Sequence, residues 1–206
     1  MPCDCRLEAK EGMQNRVLLA LLTINAAMFC AEVVAGILAS SSALLADSLD
    51  MLADATIYGI ALYPVGKPNS AKRRAAFISG IFQGVLGLLV ASDVVRRFLF
   101  GSEPTPLAMI TVGSAALAAN VTCLWLLRKQ RHGEVHIRAS WIFTRTDALA
   151  NVGTILGGAM VLVTKSAMPD LIVGAGICVV VLFGCFEIIR DAASDKLSDL
   201  ADVNSG

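Results

Sequence analysis

Six acidic side chains stand inside apolar runs of this chain: Glu32, Asp47, Asp50, Asp54, Asp93 and Asp147, with Glu187 near the end of the last run. An ionised carboxylate at the centre of a bilayer costs about 2.5 to 3.5 kcal/mol on insertion scales, so each is a candidate functional group. On a helix, Asp50 and Asp54 are one turn apart, roughly 6 Å along the axis, and share a face. Asp47 falls on the same stripe, two turns from Asp54 toward the outer side. Two anions this close repel, so either one takes a proton or a cation sits between them. The second half of the chain supplies a counterpart: Asp147-Ala148-Leu149-Ala150-Asn151 repeats the form of Asp50-Met51-Leu52-Ala53-Asp54, 97 residues later. If the two helices are antiparallel, Asp54 is level with Asp147 and Asp50 with Asn151. Three carboxylates and one amide oxygen then surround one point. A small divalent metal rewards such converging oxygens better than an organic cation does. Hard-ligand logic favours manganese, magnesium or ferrous iron, since zinc more often takes imidazole or thiolate.

The elements that must position these groups are membrane helices. Of 206 residues, 56% are apolar and 17% charged, well under the ~25% charged of soluble domains. At ~20 residues per crossing, the chain accommodates six spans: 16–40, 43–65, 75–98, 106–127, 137–163 and 169–190. Ser40-Ser41-Ser42, Gly66-Lys67-Pro68-Asn69, Gly101-Ser102-Glu103-Pro104 and His132-Gly133 separate them, and Pro169 opens the last. No histidine lies in any span. The predicted fold is all-α and integral to the membrane, with an arm over 1–15, a transporter-like bundle over 16–190 and a short acidic tail over 191–206. The recurrence of the acidic element three helices on makes an inverted three-helix repeat with a midplane site the candidate design. The first span lacks the pattern of a cleaved signal peptide and is expected to be retained.

Arg6, Lys10, Arg16, Lys67, Lys72, Arg73, Arg74, Arg128, Lys129, Arg131, Arg138, Arg190 and Lys196 fall on one side; only Arg96, Arg97 and Lys165 fall on the other. The positive-inside rule therefore predicts both termini in the cytoplasm. A net formal charge of zero leaves no basic stripe for nucleic acid. Cys30, Cys123, Cys178 and Cys185 lie within spans, and Cys3 and Cys5 face the reducing side, so disulfides are not expected. The Cys3-Asp4-Cys5 tip reads either as a transient soft-metal holder or as two free thiols.

The stretch Ser42-Ala43-Leu44-Leu45-Ala46-Asp47-Ser48-Leu49-Asp50-Met51-Leu52-Ala53-Asp54 resembles the second helix of the cation diffusion facilitator family, six-helix exporters that exchange zinc and related divalent ions for protons. Asn25 and Glu32 in the first span, and Asp147 with Asn151 in the fifth, add to the likeness, which covers nearly the whole membrane part. The resemblance implies metal ligation by Asp50, Asp54 and Asp147, export of divalent ions with zinc heading the list, a homodimer, and no resident cofactor. It further implies a multi-pass protein of a bacterial cytoplasmic membrane. Two departures stand out. The family's His or Asp four residues before the fifth-helix aspartate is here Phe143, which cannot bind metal, so the fourth ligand falls to Asn151, with water or Thr146 as alternatives. The family's soluble C-terminal metal-binding domain has no counterpart in the sixteen or so residues after the last span, so this chain resembles members without one.

Other polar residues have plainer readings. Glu32 and Asp93 suit contacts between helices. Arg145, two residues from Asp147, points to nearly the opposite face and suits pairing with another helix. His132 and His136 read as a solvated loop pair or as groups that hand over metal. Asp191, Asp195, Asp199 and Asp202 form an acidic, solvated face. Trp125 and Trp141 suit interfacial anchoring. Gly80, Gly84 and Gly87, with Gly153, Gly157 and Gly158, suit close helix approach or a dimer seam. Export of small organic cations is the rival function, though aromatic residues lining a wide cavity would be expected for it. Enzymes with paired intramembrane aspartates fit less well: phosphatidyl transferases interleave a glycine and an Ala-Arg pair with theirs, and aspartyl proteases carry a Gly-x-Gly-Asp element, neither of which is present.

Overall fold

A computed structural model describes residues 3–38, 42–101 and 103–204, with side chains described for 8–34, 48–101 and 103–194. The chain runs through six α-helices: α1 Cys3–Leu38, α2 Ser42–Leu62, α3 Asn69–Phe100, α4 Pro106–Leu127, α5 Val135–Thr164 and α6 Met168–Asn204. Among the described residues there is no strand. Within α1 (Glu8–Val34), α3, α4, α5 and α6 (Met168–Ser194), the helices are long and apolar enough to cross a membrane. The remaining helix, α2, has 21 residues, and at ~1.5 Å per residue it too matches a ~30 Å hydrocarbon core.

The helix ends differ from expectation where the breakers are weak. α1 starts at Cys3 rather than Arg16, so the predicted arm is the first part of a longer helix; Gly12 alone does not stop it. α2 ends at Leu62, short of Val65, because Pro64 has no N–H to carry the ladder on. α6 continues through the predicted tail to Asn204. The thiols of Cys3 and Cys5 and the carboxylates of Asp195, Asp199 and Asp202 lie outside the described side chains.

Packing is closest between α1 and α2, α3 and α6, α4 and α5, and α5 and α6. The α1–α2 and α4–α5 pairs correspond in the two halves of the candidate repeat. The halves nevertheless differ, since α6 lies firmly on α5 while α3 makes only slight contact with α2. Small residues make these approaches possible inside the chain. Gly80, Gly84 and Gly87 let α3 meet Ile189, Cys185 and Leu182 of α6, and Gly153 and Gly157 receive Ile177 and Val173. At Gly158 the neighbour is backbone: a methyl group there would sit 3.0 Å from the Pro106 carbonyl oxygen and 2.9 Å from Met109 Cβ. Two apolar clusters flank the acidic pair, one around Leu18, Leu21, Tyr58, Leu127 and Ile137, the other around Ile57, Phe143, Ile142 and Ile188; Trp141 packs against both. Trp141 is partly buried near the start of α5, whereas Trp125 is exposed, with Arg128 over its ring at 4.8 Å.

The end of the bundle that carries both termini is tied by Glu134, in the loop before α5. Its carboxylate takes Lys10 of α1 at 3.2 Å and Lys72 of α3 at 3.1 Å. His136 Nδ1 lies 3.9 Å away and is buried, which corrects the solvated reading of that histidine; His132 is exposed and accepts from Arg131 Nε at 3.0 Å. Asp191 is not merely solvated either, since Arg138 Nε donates to it at 2.6 Å. Partial burial works against ionisation of Glu134, but the two lysines outweigh it and hold the carboxyl below its ordinary 4.5.

Substitution tests both of these contacts. Gly158→Ala is expected to destabilise the protein by about 1–3 kcal/mol, read as a lowered thermal midpoint in detergent, because a backbone carbonyl cannot step aside as a side-chain tip can. Glu134→Gln is expected to cost up to about 1 kcal/mol at pH 7, the scale for partly exposed ion pairs. The native carboxyl is depressed on folding, so its contribution is present above the ordinary value and vanishes as pH falls through the lower folded one. Wild type and variant should therefore converge in unfolding midpoint under strong acid and differ at neutral pH.

Candidate metal centre

Four helices meet around the acidic residues. α2 presents Asp50, Asp54 and Tyr58 at successive turns, and α5 presents Thr144, Asp147 and Asn151 in the opposite direction. The register is set by Tyr58 and Thr144, whose hydroxyls lie 2.8 Å apart, with Thr144 Oγ1 also donating to Ser140 O at 2.7 Å. One turn from that bond, the carboxyls of Asp54 and Asp147 face each other within hydrogen-bonding reach, and Asp50 acts on both across a longer gap. Asp54 is fully buried, Asn151 is buried, and Asp50 and Asp147 are half-buried. α1 and α4 close the other side: Asn25 Nδ2 donates to Leu21 O at 3.0 Å and to Cys123 Sγ at 3.5 Å.

The electrostatics of this centre are those of buried polar atoms left unpaired, most of them acceptors. Neither oxygen of Asp54, nor Oδ2 of Asp147, nor Oδ1 of Asn25 has a hydrogen-bond partner. A buried acceptor left unpaired ordinarily costs about 1–3 kcal/mol, and native structures hold few of them. Two facing carboxylates with no donor between them are satisfied by a proton or by a cation. Each ligand gained lets one ion relieve several oxygens at once, which is how divalent ions bind.

Not every predicted ligand joins the centre in this structure. Among the described residues, no three His, Cys, Asp or Glu side chains come together closely enough to hold one ion. Asp54 and Asp147 form the close pair, and Asp50 stands one turn outward. Asn151 is on the same face of α5 as Asp147, with its Nδ2 unpartnered. Asp47 lies outside the described side chains. Phe143 is buried in hydrocarbon beside Ile57 and Ile188. Thr146, the alternative fourth ligand, is turned away: its Oγ1 donates to Ile142 O at 2.9 Å and lies with Gln83 against Gly184 of α6.

The remaining charges in the spans lie away from the acidic pair, and most of them form ion pairs. Arg145 pairs with Glu187 at 2.5 Å. Asp93 pairs with Arg96 and Arg97 at 2.6 and 2.5 Å, and Arg97 reaches Asp170 at 3.2 Å. Glu32 is buried on α1, farther along than Asn25. Reading the chain for carboxylates missed the neutral lining of Tyr58, Cys123 and Thr144, and it missed Asn120, buried on α4. Asn120 had a signal of its own, as the one amide or charged side chain between Pro106 and Leu127.

An Asp54→Asn variant puts an amide donor opposite Asp147 where two acceptors now face each other. Its ion-free form at pH 8 is expected to gain about 1–2 kcal/mol of stability, seen as a raised thermal midpoint in detergent with chelator present. A lowered midpoint would contradict the unsatisfied pair.

Residues 18–195 match the family model described as the cation efflux transmembrane domain. The chain is 29% identical over 206 residues to the zinc transporter ZitB of Pectobacterium atrosepticum, covering 91% of this chain and 62% of that protein. It is 28% identical to the zinc transporter ZitB of Escherichia coli, covering 91% and 64%. To the cadmium, cobalt and zinc/H(+)-K(+) antiporter of Bacillus velezensis it is 22% identical, covering 88% and 62%. The chain thus spans a little over three fifths of the length of these curated relatives.

Proposed function

The chain belongs to the cation efflux transmembrane family, the cation diffusion facilitators, and on that premise we propose that it carries divalent transition-metal cations out of the cytoplasm in exchange for protons. The observation that carries this reading is the buried Asp54–Asp147 pair, two acceptors with no donor, drawn from oppositely directed helices. The relatives' names, a zinc transporter and a cadmium, cobalt and zinc antiporter, support the class of cargo and put zinc first.

Asp54 and Asp147 hold the ion, Asp50 and Asn151 join from one turn outward, and Asp47 lies on the outer approach. Protons compete for the same oxygens, so each carboxyl that takes a proton removes the charge holding the ion. Release outward and proton return inward thereby use one set of groups. Access alternates by rocking of helix pairs, with the lightly packed α2–α3 boundary able to shift more readily than α5–α6. The excess of Lys and Arg assigns the face with both termini to the cytoplasm, in a bacterial cytoplasmic membrane. The working unit is a homodimer. The chain performs transport and catalyses no covalent step.

In proteoliposomes with an imposed pH gradient, wild-type protein is expected to accumulate Zn2+, and apparent affinity should weaken as pH falls. Asp54→Ala and Asp147→Ala should each reduce flux to that of empty vesicles while expression and thermal midpoint persist. Undiminished flux in both variants would overturn the assignment.

A further inference from the structure

Phe143 leaves one side of the centre without a ligand from α5, and α4 has an unused one. The buried face of α4 is the stripe Gly113, Ala116, Asn120, Cys123 and Leu127. Two contacts fix how this stripe lies against α5. Gly113 abuts Ile155 and Thr154, and Gly158 abuts Met109. The helices are antiparallel, so seven residues along α4 from Gly113 correspond to seven back along α5 from Thr154 or Ile155, and eleven from Met109 to eleven back from Gly158. Both routes put Asn120 level with Asp147. Its neighbour one turn farther along, Cys123, takes the amide of Asn25 and lies near Asp54. Asn120 therefore sits at the depth of the acidic pair, on the face of α4 turned toward α1, α2 and α5.

Its burial is complete, and neither Nδ2 nor Oδ1 has a hydrogen-bond partner. A structural asparagine in a membrane helix is expected to bond across to a neighbour; this one does not. Oxygens without donors at this depth come from all four helices: Asn25 Oδ1, both oxygens of Asp54, Asp147 Oδ2 and Asn120 Oδ1. Two amide nitrogens, Nδ2 of Asn120 and Nδ2 of Asn151, are unpartnered as well; the five oxygens outnumber these donor groups, and a cation relieves several oxygens at once.

Resting on the reading that the acidic pair binds a divalent cation, we infer that Asn120 gives its amide oxygen to the transported ion, completing from α4 the shell that Phe143 leaves open on α5. The resulting ligand set is oxygen throughout, which suits manganese, ferrous iron and cobalt at least as well as zinc. Asn120 then bears on selectivity as well as affinity, because, like Asn151, it is a neutral position at which a different donor atom can be installed without altering the charge of the acidic pair.

Co2+ binding to the full chain in detergent, followed by titration and by visible absorption, tests this. Asn120→Leu should weaken Co2+ at least tenfold and shrink the Co2+-induced rise in thermal midpoint, while the ion-free midpoint stays equal or rises because an unpaired amide has gone. Asn120→Asp, which keeps an oxygen, should retain binding. Asn120→His should change the Co2+ absorption bands and move preference from Mn2+ toward Zn2+. An Asn120→Leu protein with wild-type Co2+ affinity and spectrum overturns the inference, as does one whose ion-free form is destabilised. Asp54→Asn is the separating control. If it abolishes Co2+ binding while Asn120→Leu does not, only the role of Asn120 falls; if it leaves binding intact, the reading of the whole centre falls.

Discussion

Hydrocarbon offers no donor to a carboxylate, and everything distinctive about this bundle follows from putting two of them face to face inside it. Asp54 has no oxygen exposed to water and none accepting a hydrogen bond, and Asp147 opposite it has one such oxygen. Each would be tolerable alone at the end of a long, snorkelling side chain, but aspartate is too short to escape. Among the described residues no donor reaches either oxygen of Asp54, so a proton or a cation meets the cost from outside the polypeptide. A site whose own chain leaves it unsatisfied is a site that exchanges its occupant readily, since neither occupant has to displace a strong internal partner.

Holding that pair in place takes close packing between helices. α4 and α5 close to backbone contact at Gly158, and the register set there runs down to the level of Asp147. The Tyr58–Thr144 bond pins α2 to α5 one turn below the carboxyls, with apolar clusters on both flanks. On the other side of the bundle α3 is held chiefly to α6, through Gly80, Gly84 and Gly87. The molecule thus has a stiff side around α5 and a looser seam between α2 and α3. The proposed carrier function would use both, one to keep the acidic pair in register and one to let a path open.

Much of this is legible in the residues. Helix number and type follow from apolar length alone, and the bounds of α4 fall at Pro106 and Leu127 because a proline opens that helix and a basic connection follows it. The D-x-L-A-(D/N) recurrence identifies the two helices that meet, since acids rarely recur at matching depth in apolar runs unless they serve a common site. The errors have local causes. Gly12 is too weak a breaker to hold the start of α1 at Arg16, and His136 reads as loop because a polar residue beside His132-Gly133 carries no mark of burial. Arg145 is correctly turned away from Asp147, since two residues along a helix is more than half a turn.

Sequence alone determined the chemistry on offer: which side chains are acidic, how many turns separate them, and that hydrocarbon surrounds them, because spacing along a helix is a property of the covalent chain. Tertiary structure decided which of those groups share one point. It brought Asp54 to Asp147 but left Asp50 a turn away, sent Thr146 toward Gln83 and Gly184, and brought Asn120 to the same depth from a helix that carries no acid. Those outcomes depend on the rotation and relative height of packed helices. Both are set by glycine contacts and side-chain volumes distant in the chain, which no local pattern records.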